Sequence, residues 1–213
     1  MGLKDILARQ IQKPSGLIGN LLARSQLSHQ HQYLEAFCVD LLQPQPTDLI
    51  LEVGFGNGYM INKIAPALSN GHIYGIDHSE VMVRHASSRN EKYITKGTVD
   101  LQQGNLSSLP FSNNFFSKAV SNNTIYFWRN PLQEAKELLR VLQPGGLLVI
   151  GFRTGEQLWE WNIARKTDVF QHYDPDELEQ LLQEAGFHTL GLEHKQELNG
   201  TFDSFAFLAT KPR

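Results

Sequence analysis

The chain carries a single cysteine, Cys38, in 213 residues, so no internal disulfide can form. Flanked by the apolar Phe37, Val39 and Leu41, that thiol reads as a small buried hydrophobe rather than a nucleophile. Basic clusters are missing too: no Lys/Arg run exceeds two residues, and the net charge is −3. A duplex nucleic-acid binder needs a clustered basic face to neutralise phosphates, so that partner class is disfavoured. No apolar run approaches the length of a membrane span. The first ten residues lack the apolar core of a signal peptide, and Ile6 stands where a myristoylation signal places Ser or Thr. The expected location is the cytoplasm. Internal repeats and low-complexity tracts are absent. What remains, 41% hydrophobic and 19% charged residues, fits a soluble globular protein with one sizeable core.

The organising stretch is residues 49–62, Leu-Ile-Leu-Glu-Val-Gly-Phe-Gly-Asn-Gly-Tyr-Met-Ile-Asn. Leu49, Ile50, Leu51 and Val53 predict a short strand buried on both faces, interrupted only by Glu52. Gly54, Gly56 and Gly58 then alternate before a helical pattern expected to run from Tyr59 to Leu68. Alternating glycines at a strand-to-helix turn let backbone approach a ligand closely, with free helix N–H groups facing it. A bare structural turn is the competing explanation. The dinucleotide fingerprint G-x-G-x-x-G fails here, because Tyr59 occupies the place of its third glycine.

Strand and helix then alternate. Strands are expected at His72–Asp77, Val99–Gln103, Phe116–Ser121 and Leu147–Phe152. Helices are expected from about His29 to Leu42, from Ser79 as N-cap, and over 131–142 before Pro144-Gly145-Gly146. Such alternation predicts a parallel sheet with helices on both faces. Asp174-Pro175-Asp176-Glu177 is a helix-start signature with Asp174 as cap, Pro175 in the first helical position and Glu177 closing a capping box. That helix should stop at Gly186. Two β-prone runs follow, Phe187–Glu193 and Ser204–Thr210, joined by a loop containing Asn199-Gly200. The loop is too short for a crossover, so they should pair antiparallel. Residues 1–28 form a separate helical extension, with Leu3, Ile6, Leu7 and Ile11 in one amphipathic helix and Leu17, Ile18, Leu21 and Leu22 in another, expected to act as a lid. Residues 29–213 form the main domain.

The form E-x-G-x-G-x-G over Glu52–Gly58 resembles the first motif of class I methyltransferases that use S-adenosylmethionine. Gly75-Ile76-Asp77-His78-Ser79-Glu80-Val81-Met82 is similar to that family's second motif, and Leu139–Gly146 to a further one of structural importance. The resemblance spans nearly the whole chain after residue 29. It implies a Rossmann-like seven-stranded sheet, mostly parallel with an antiparallel C-terminal hairpin, and S-adenosylmethionine as cofactor. It also implies roles for individual residues. Glu52, Gly54, Phe55, Gly56 and Gly58 would surround the methionine end, and Asp77 the ribose hydroxyls, a placement its position at a strand tip also favours. His78 and Met82 would border the adenine, with Asn105 and Leu106 beside them. The family usually has Asp where this chain has Asn105, which accepts a hydrogen bond without charge.

After the fourth strand, Ser121 and Asn122 are candidates for cofactor contact. Nucleic-acid and protein amino-methylating relatives often carry Asn/Asp-Pro-Pro-aromatic here, and this chain lacks those prolines. Tyr126, Phe127 and Trp128 serve either as an apolar wall for the acceptor or as ordinary packing, and Tyr33 is a further lining candidate. His29, His31, Tyr33, Tyr126, His172 and Tyr173 are available as general bases, none singled out. The expected reaction is in-line methyl transfer to a small, partly apolar molecule, without a metal. The rivals are a nicotinamide-dependent oxidoreductase of related fold and a cofactor-binding protein without turnover.

Overall fold

A computed structural model of the chain describes residues 2–16, 19–20, 29–160, 168–197 and 203–213. The second amphipathic segment of the N-terminal extension and the Asn199-Gly200 loop lie outside these. Seven strands form one sheet among the described residues: β1 (Leu49–Val53), β2 (His72–Asp77), β3 (Val99–Gln103), β4 (Phe116–Asn122), β5 (Leu142–Phe152), β6 (His188–Gln196) and β7 (Asp203–Thr210). Their order is β3-β2-β1-β4-β5-β7-β6. The first five are parallel, and β7 runs antiparallel to both β5 and β6. This is the Rossmann-like sheet with a reversed C-terminal hairpin expected from the sequence.

β1 is central, between β2 and β4, and helices cover both of its faces. Alternation along the strand sends Leu51 and Val53 into one core with α5 (Pro131–Val141) and α7 (Pro175–Ala185). Ile50 goes into the other core with α2 (His29–Leu42), α3 (Tyr59–Ile64) and α4 (Glu80–Thr95). Ile50 and Leu51 are fully buried, each burial contributing roughly 1.5–3 kcal/mol. Glu52 shares the face of Ile50, so its carboxyl points under α2. α1 (Leu3–Gln12) lies on the opposite core through Ala8 and Ile11. α6 (Gly155–Glu160) follows β5.

Three elements differ from expectation. The helix after the glycines is α-helical only to Ile64 and continues as a 3-10 turn over Ala65–Ala67, because Pro66 offers no N–H for the next α-helical bond. β5 starts at Leu142, ahead of Pro144-Gly145-Gly146, which forms an irregularity between the Phe116–Leu142 and Lys118–Leu147 pairs. α6 was not foreseen. The start of α7 is as expected: Pro175 takes the first helical position, the Asp174 N–H donates to Glu177 Oε2 at 3.0 Å, and Gly186 ends it in the left-handed region. Among the described residues no helix is long and apolar enough to cross a membrane.

Candidate active site

Strand order reverses between β1 and β4, and the loops leaving β1, β2 and β4 open a crevice at their C-terminal ends, where open α/β sheets bind ligands. Gly54 turns the chain out of β1 with φ +72°, and its N–H donates to Ile76 O at 2.7 Å. A Cβ there would collide with Thr124 Cγ2, so only glycine lets the β1 and β4 loops close together. Gly58 is also left-handed (φ +73°), and its missing Cβ makes room for Ala86 and Asn90 of α4. Asn90 Nδ2 donates to Gly58 O at 3.0 Å. Gly58 thus fixes the turn without lining the crevice. Two N–H groups at this turn are already used: the Tyr59 N–H of the six-residue α3 donates to Asn57 Oδ1 at 3.1 Å, and the Gly58 N–H donates to Phe55 O at 2.9 Å.

Two cavities, of about 140 and 440 Å3, share Gln12, Gly54, Asp77, Thr124 and Phe127 as walls. The smaller brings together Glu52, Gly54, Phe55, Gly56, Asp77, Met82, Asn122 and Tyr126 from the sequence candidates. The larger brings together Gly54, Asp77, His78, Asn105, Leu106 and Trp128. His78 and Met82, expected on one adenine, therefore stand in different cavities. Ser121 lines neither; it is buried, its hydroxyl donating to Val53 O at 3.2 Å and bonded to Thr124 Oγ1. Tyr33 lines neither. His172 and Tyr173 sit in a shallow surface depression beside α7, and the side chains of His29 and His31 lie outside the described ones.

Asp77 is the hinge between the cavities. Its Oδ2 accepts from the Gly56 N–H at 3.0 Å and its Oδ1 from the Ser79 N–H at 2.8 Å. Two carboxylate oxygens offer about four acceptor positions, so capacity remains for a ligand. Burial raises its pKa to about 6, against the lowering by the two N–H groups and Lys13. Ser79 caps α4 by accepting from the Met82 N–H at 3.3 Å, and its hydroxyl donates to Pro14 O at 2.6 Å. That bond ties the segment after α1 to the crevice, where Ile11, Gln12 and Pro14 form part of the smaller cavity's wall.

Glu52 is 2% exposed, and its Oε2 lacks a hydrogen-bond partner. Burial, then Glu35 and Asp77, push its pKa well above the ordinary carboxyl range. A buried acceptor in this state fits a ligand ammonium. Asn122 Oδ1 is a second buried acceptor without a partner. Sequence reasoning missed Glu35 of α2, which lines the same cavity and whose pKa burial raises to about 7 against the pull of Arg89. It also missed Leu158, Phe170, Asn123 and Thr124. Asn123, left-handed at φ +54°, accepts from the Tyr126 hydroxyl at 3.1 Å. The Tyr126 oxygen in turn accepts from the Arg153 N–H. Burial raises the Tyr126 pKa further, so this phenol is a fixed wall rather than a base. Trp128 is buried and donates from Nε1 to Thr124 Oγ1 at 3.2 Å.

Residues 51–150 match the methyltransferase domain family. An uncharacterized methyltransferase of Bacillus subtilis, YdaC, is 32% identical over 130 residues, covering 61% of this chain and 70% of the relative. A 24-methylenesterol C-methyltransferase of Oryza sativa is 31% identical over 160 residues, 75% of this chain but only 41% of that enzyme. Among solved structures, a SAM-dependent methyltransferase from Aquifex aeolicus superposes with TM-score 0.70 at 19% identity, covering 90% of this chain and 98% of that one. With the glycine turn, the strand-end carboxylate and the sheet order in place, the chain belongs to the class I S-adenosylmethionine-dependent methyltransferases.

Proposed function

We propose that S-adenosylmethionine lies across the wall shared by the two cavities and that the methyl acceptor is a small, partly apolar molecule in the smaller one. The observation that carries this reading is Asp77, a buried carboxyl that lines both cavities. The ribose, which joins the two ends of the cofactor, belongs at such a point. Asp77 accepts from the ribose hydroxyls, while His78, Asn105 and Leu106 surround the adenine. Glu52 receives the methionine ammonium, which supplies the partner its Oε2 lacks.

The bound cofactor supplies a methyl group on a sulfonium, already activated for in-line displacement. The protein's own residues align the partners and keep water out. Tyr126, Phe127, Leu158 and Phe170 present an apolar wall, which Ile11 and Pro14 of the N-terminal segment complete. Alignment of this kind can supply on the order of 7–11 kcal/mol of a barrier. The N-terminal segment 1–28 is read as a lid, supported by the bond from Ser79 to Pro14 O. The walls also include Lys13, Arg129 and Glu134 in the larger cavity but no basic cluster among the described residues, in keeping with a small-molecule partner rather than duplex nucleic acid.

Equilibrium dialysis against S-adenosylmethionine and NAD in parallel tests the cofactor reading. Retention of the sulfonium compound alone is expected, and preferential retention of the dinucleotide overturns it.

A further inference from the structure

The smaller cavity contains three carboxyl groups, those of Glu35, Glu52 and Asp77, and no Lys, Arg or His side chain among the described residues that line it. Asn122 Oδ1 and Glu52 Oε2 add buried acceptors without partners. Such a surface attracts donors and positive charge, and it repels carboxylate and phosphate groups. The cofactor reading accounts for two of the carboxyls: Asp77 serves the ribose and Glu52 the single ammonium. Glu35 is left over. It comes from α2 rather than from the glycine turn, and it stands in the same cavity as the aromatic wall.

We propose that the methyl acceptor is an amine carried on an apolar body, and that Glu35 binds its nitrogen and removes the proton that blocks the lone pair. The proposal rests on the cofactor reading above. Glu35 as carboxylate accepts one N–H proton from the bound ammonium. The freed nitrogen lone pair then forms the C–N bond as the S–CH3 bond breaks, and the bonding electrons stay on sulfur as a thioether. The product leaves as a methylated ammonium, and Glu35 returns its proton to water. A general base works best with a pKa near the working pH, and burial places Glu35 at about 7. The charged or titratable groups that act on it or share its cavity are Arg89 of α4, Glu52 of β1, Asp77 of β2, the Tyr126 phenol and the Cys38 thiol of its own helix.

The test is calorimetry on the full chain with S-adenosylhomocysteine bound. The probes are benzylamine, phenethylamine and hexylamine, each compared with the alcohol and the carboxylate of the same length. At least one amine should bind about tenfold or more tighter than its alcohol, and the carboxylates should bind most weakly. Glu35→Gln should weaken that amine by about 10- to 100-fold, leaving the alcohol and S-adenosylhomocysteine within about twofold. Wild-type affinity for the amine should rise with pH through about 7, and the rise should vanish in Glu35→Gln. If that variant does not fold, Glu35→Asp, which keeps the charge but retracts it, takes its place in the affinity comparisons, and the pH comparison is then made on the wild type alone. An alcohol or carboxylate bound as well as the amines overturns the proposal. So does an equal loss of amine and S-adenosylhomocysteine, which would assign Glu35 to the cofactor. Absence of S-adenosylhomocysteine binding in the wild type is read first, and it overturns the cofactor reading itself.

Discussion

The two sides of the crevice are built differently. The proposed cofactor side comes mainly from two consecutive strand ends, Glu52–Gly58 after β1 and Asp77–Met82 after β2, cross-linked by backbone hydrogen bonds such as Gly54 N–H to Ile76 O. The proposed acceptor side is assembled from segments far apart in the chain: Ile11, Glu35, Tyr126, Leu158 and Phe170. Backbone turns and two buried carboxyls, Glu52 and Asp77, define the first, and side chains define the second. The cofactor side should therefore be intolerant of substitution in its frame. The acceptor side should yield changes in specificity while cofactor affinity stays constant.

The largest effect expected on that contrast is at Gly58. An alanine Cβ would meet Asn90 Nδ2 at 2.6 Å and Ala86 Cβ at 2.7 Å, at φ +73°. Gly58→Ala should cost about 2–4 kcal/mol of stability, read by urea unfolding; a variant as stable as the wild type would show that the turn is not fixed. Next is Asp77→Ala, which removes a charge-assisted contact and should weaken S-adenosylmethionine by roughly 1.5–3 kcal/mol. Unchanged affinity by calorimetry in the folded variant would refute the ribose assignment. Ser79→Ala removes both the α4 cap and the bond to Pro14 O. It should lower stability by about 1 kcal/mol and increase proteolysis of the first 16 residues. If the N-terminal segment is equally protected, that bond does not hold the segment in place.

A further effect concerns pH, and its sign is unusual for carboxyls. Glu35, at about 7, and Asp77, at about 6, both titrate above their ordinary values of 4.5 and 3.8 in the ligand-free fold. Between each ordinary and raised value the folded chain binds more protons than the unfolded one, so stability falls as pH rises. The contribution is fully present below about pH 4 and is lost by about pH 7. Ligand-free protein should melt at a lower temperature at pH 7.5 than at pH 5.5, and Glu35→Gln should reduce that difference. A rise in melting temperature over the same interval would contradict the buried-carboxyl account.

This contrast also explains what was legible in the sequence. The glycines, Glu52 and Asp77 are consecutive along strand–turn–helix units, so local spacing exposed them. The alternation of strands and helices, with the reversed final hairpin, was legible for the same reason. Glu35 carried no such mark. It looks like any polar residue on a helix until the sheet brings β1 beneath it. Leu158 and Phe170 follow β5, where no motif pointed to the crevice. Ser121 and Gly58, also cofactor candidates from the sequence, line neither cavity. Motif position singled them out, but the pleat turns the Ser121 hydroxyl toward Val53 O, and the glycine faces α4.

The most direct test of the two-sided crevice is a crystal structure with S-adenosylhomocysteine. The account predicts its ribose on Asp77, its ammonium on Glu52 Oε2, its adenine between His78 and Asn105, and its sulfur facing the wall formed by Tyr126, Phe127 and Phe170. An occupied site elsewhere on the sheet, or a ribose that bypasses Asp77, would contradict it.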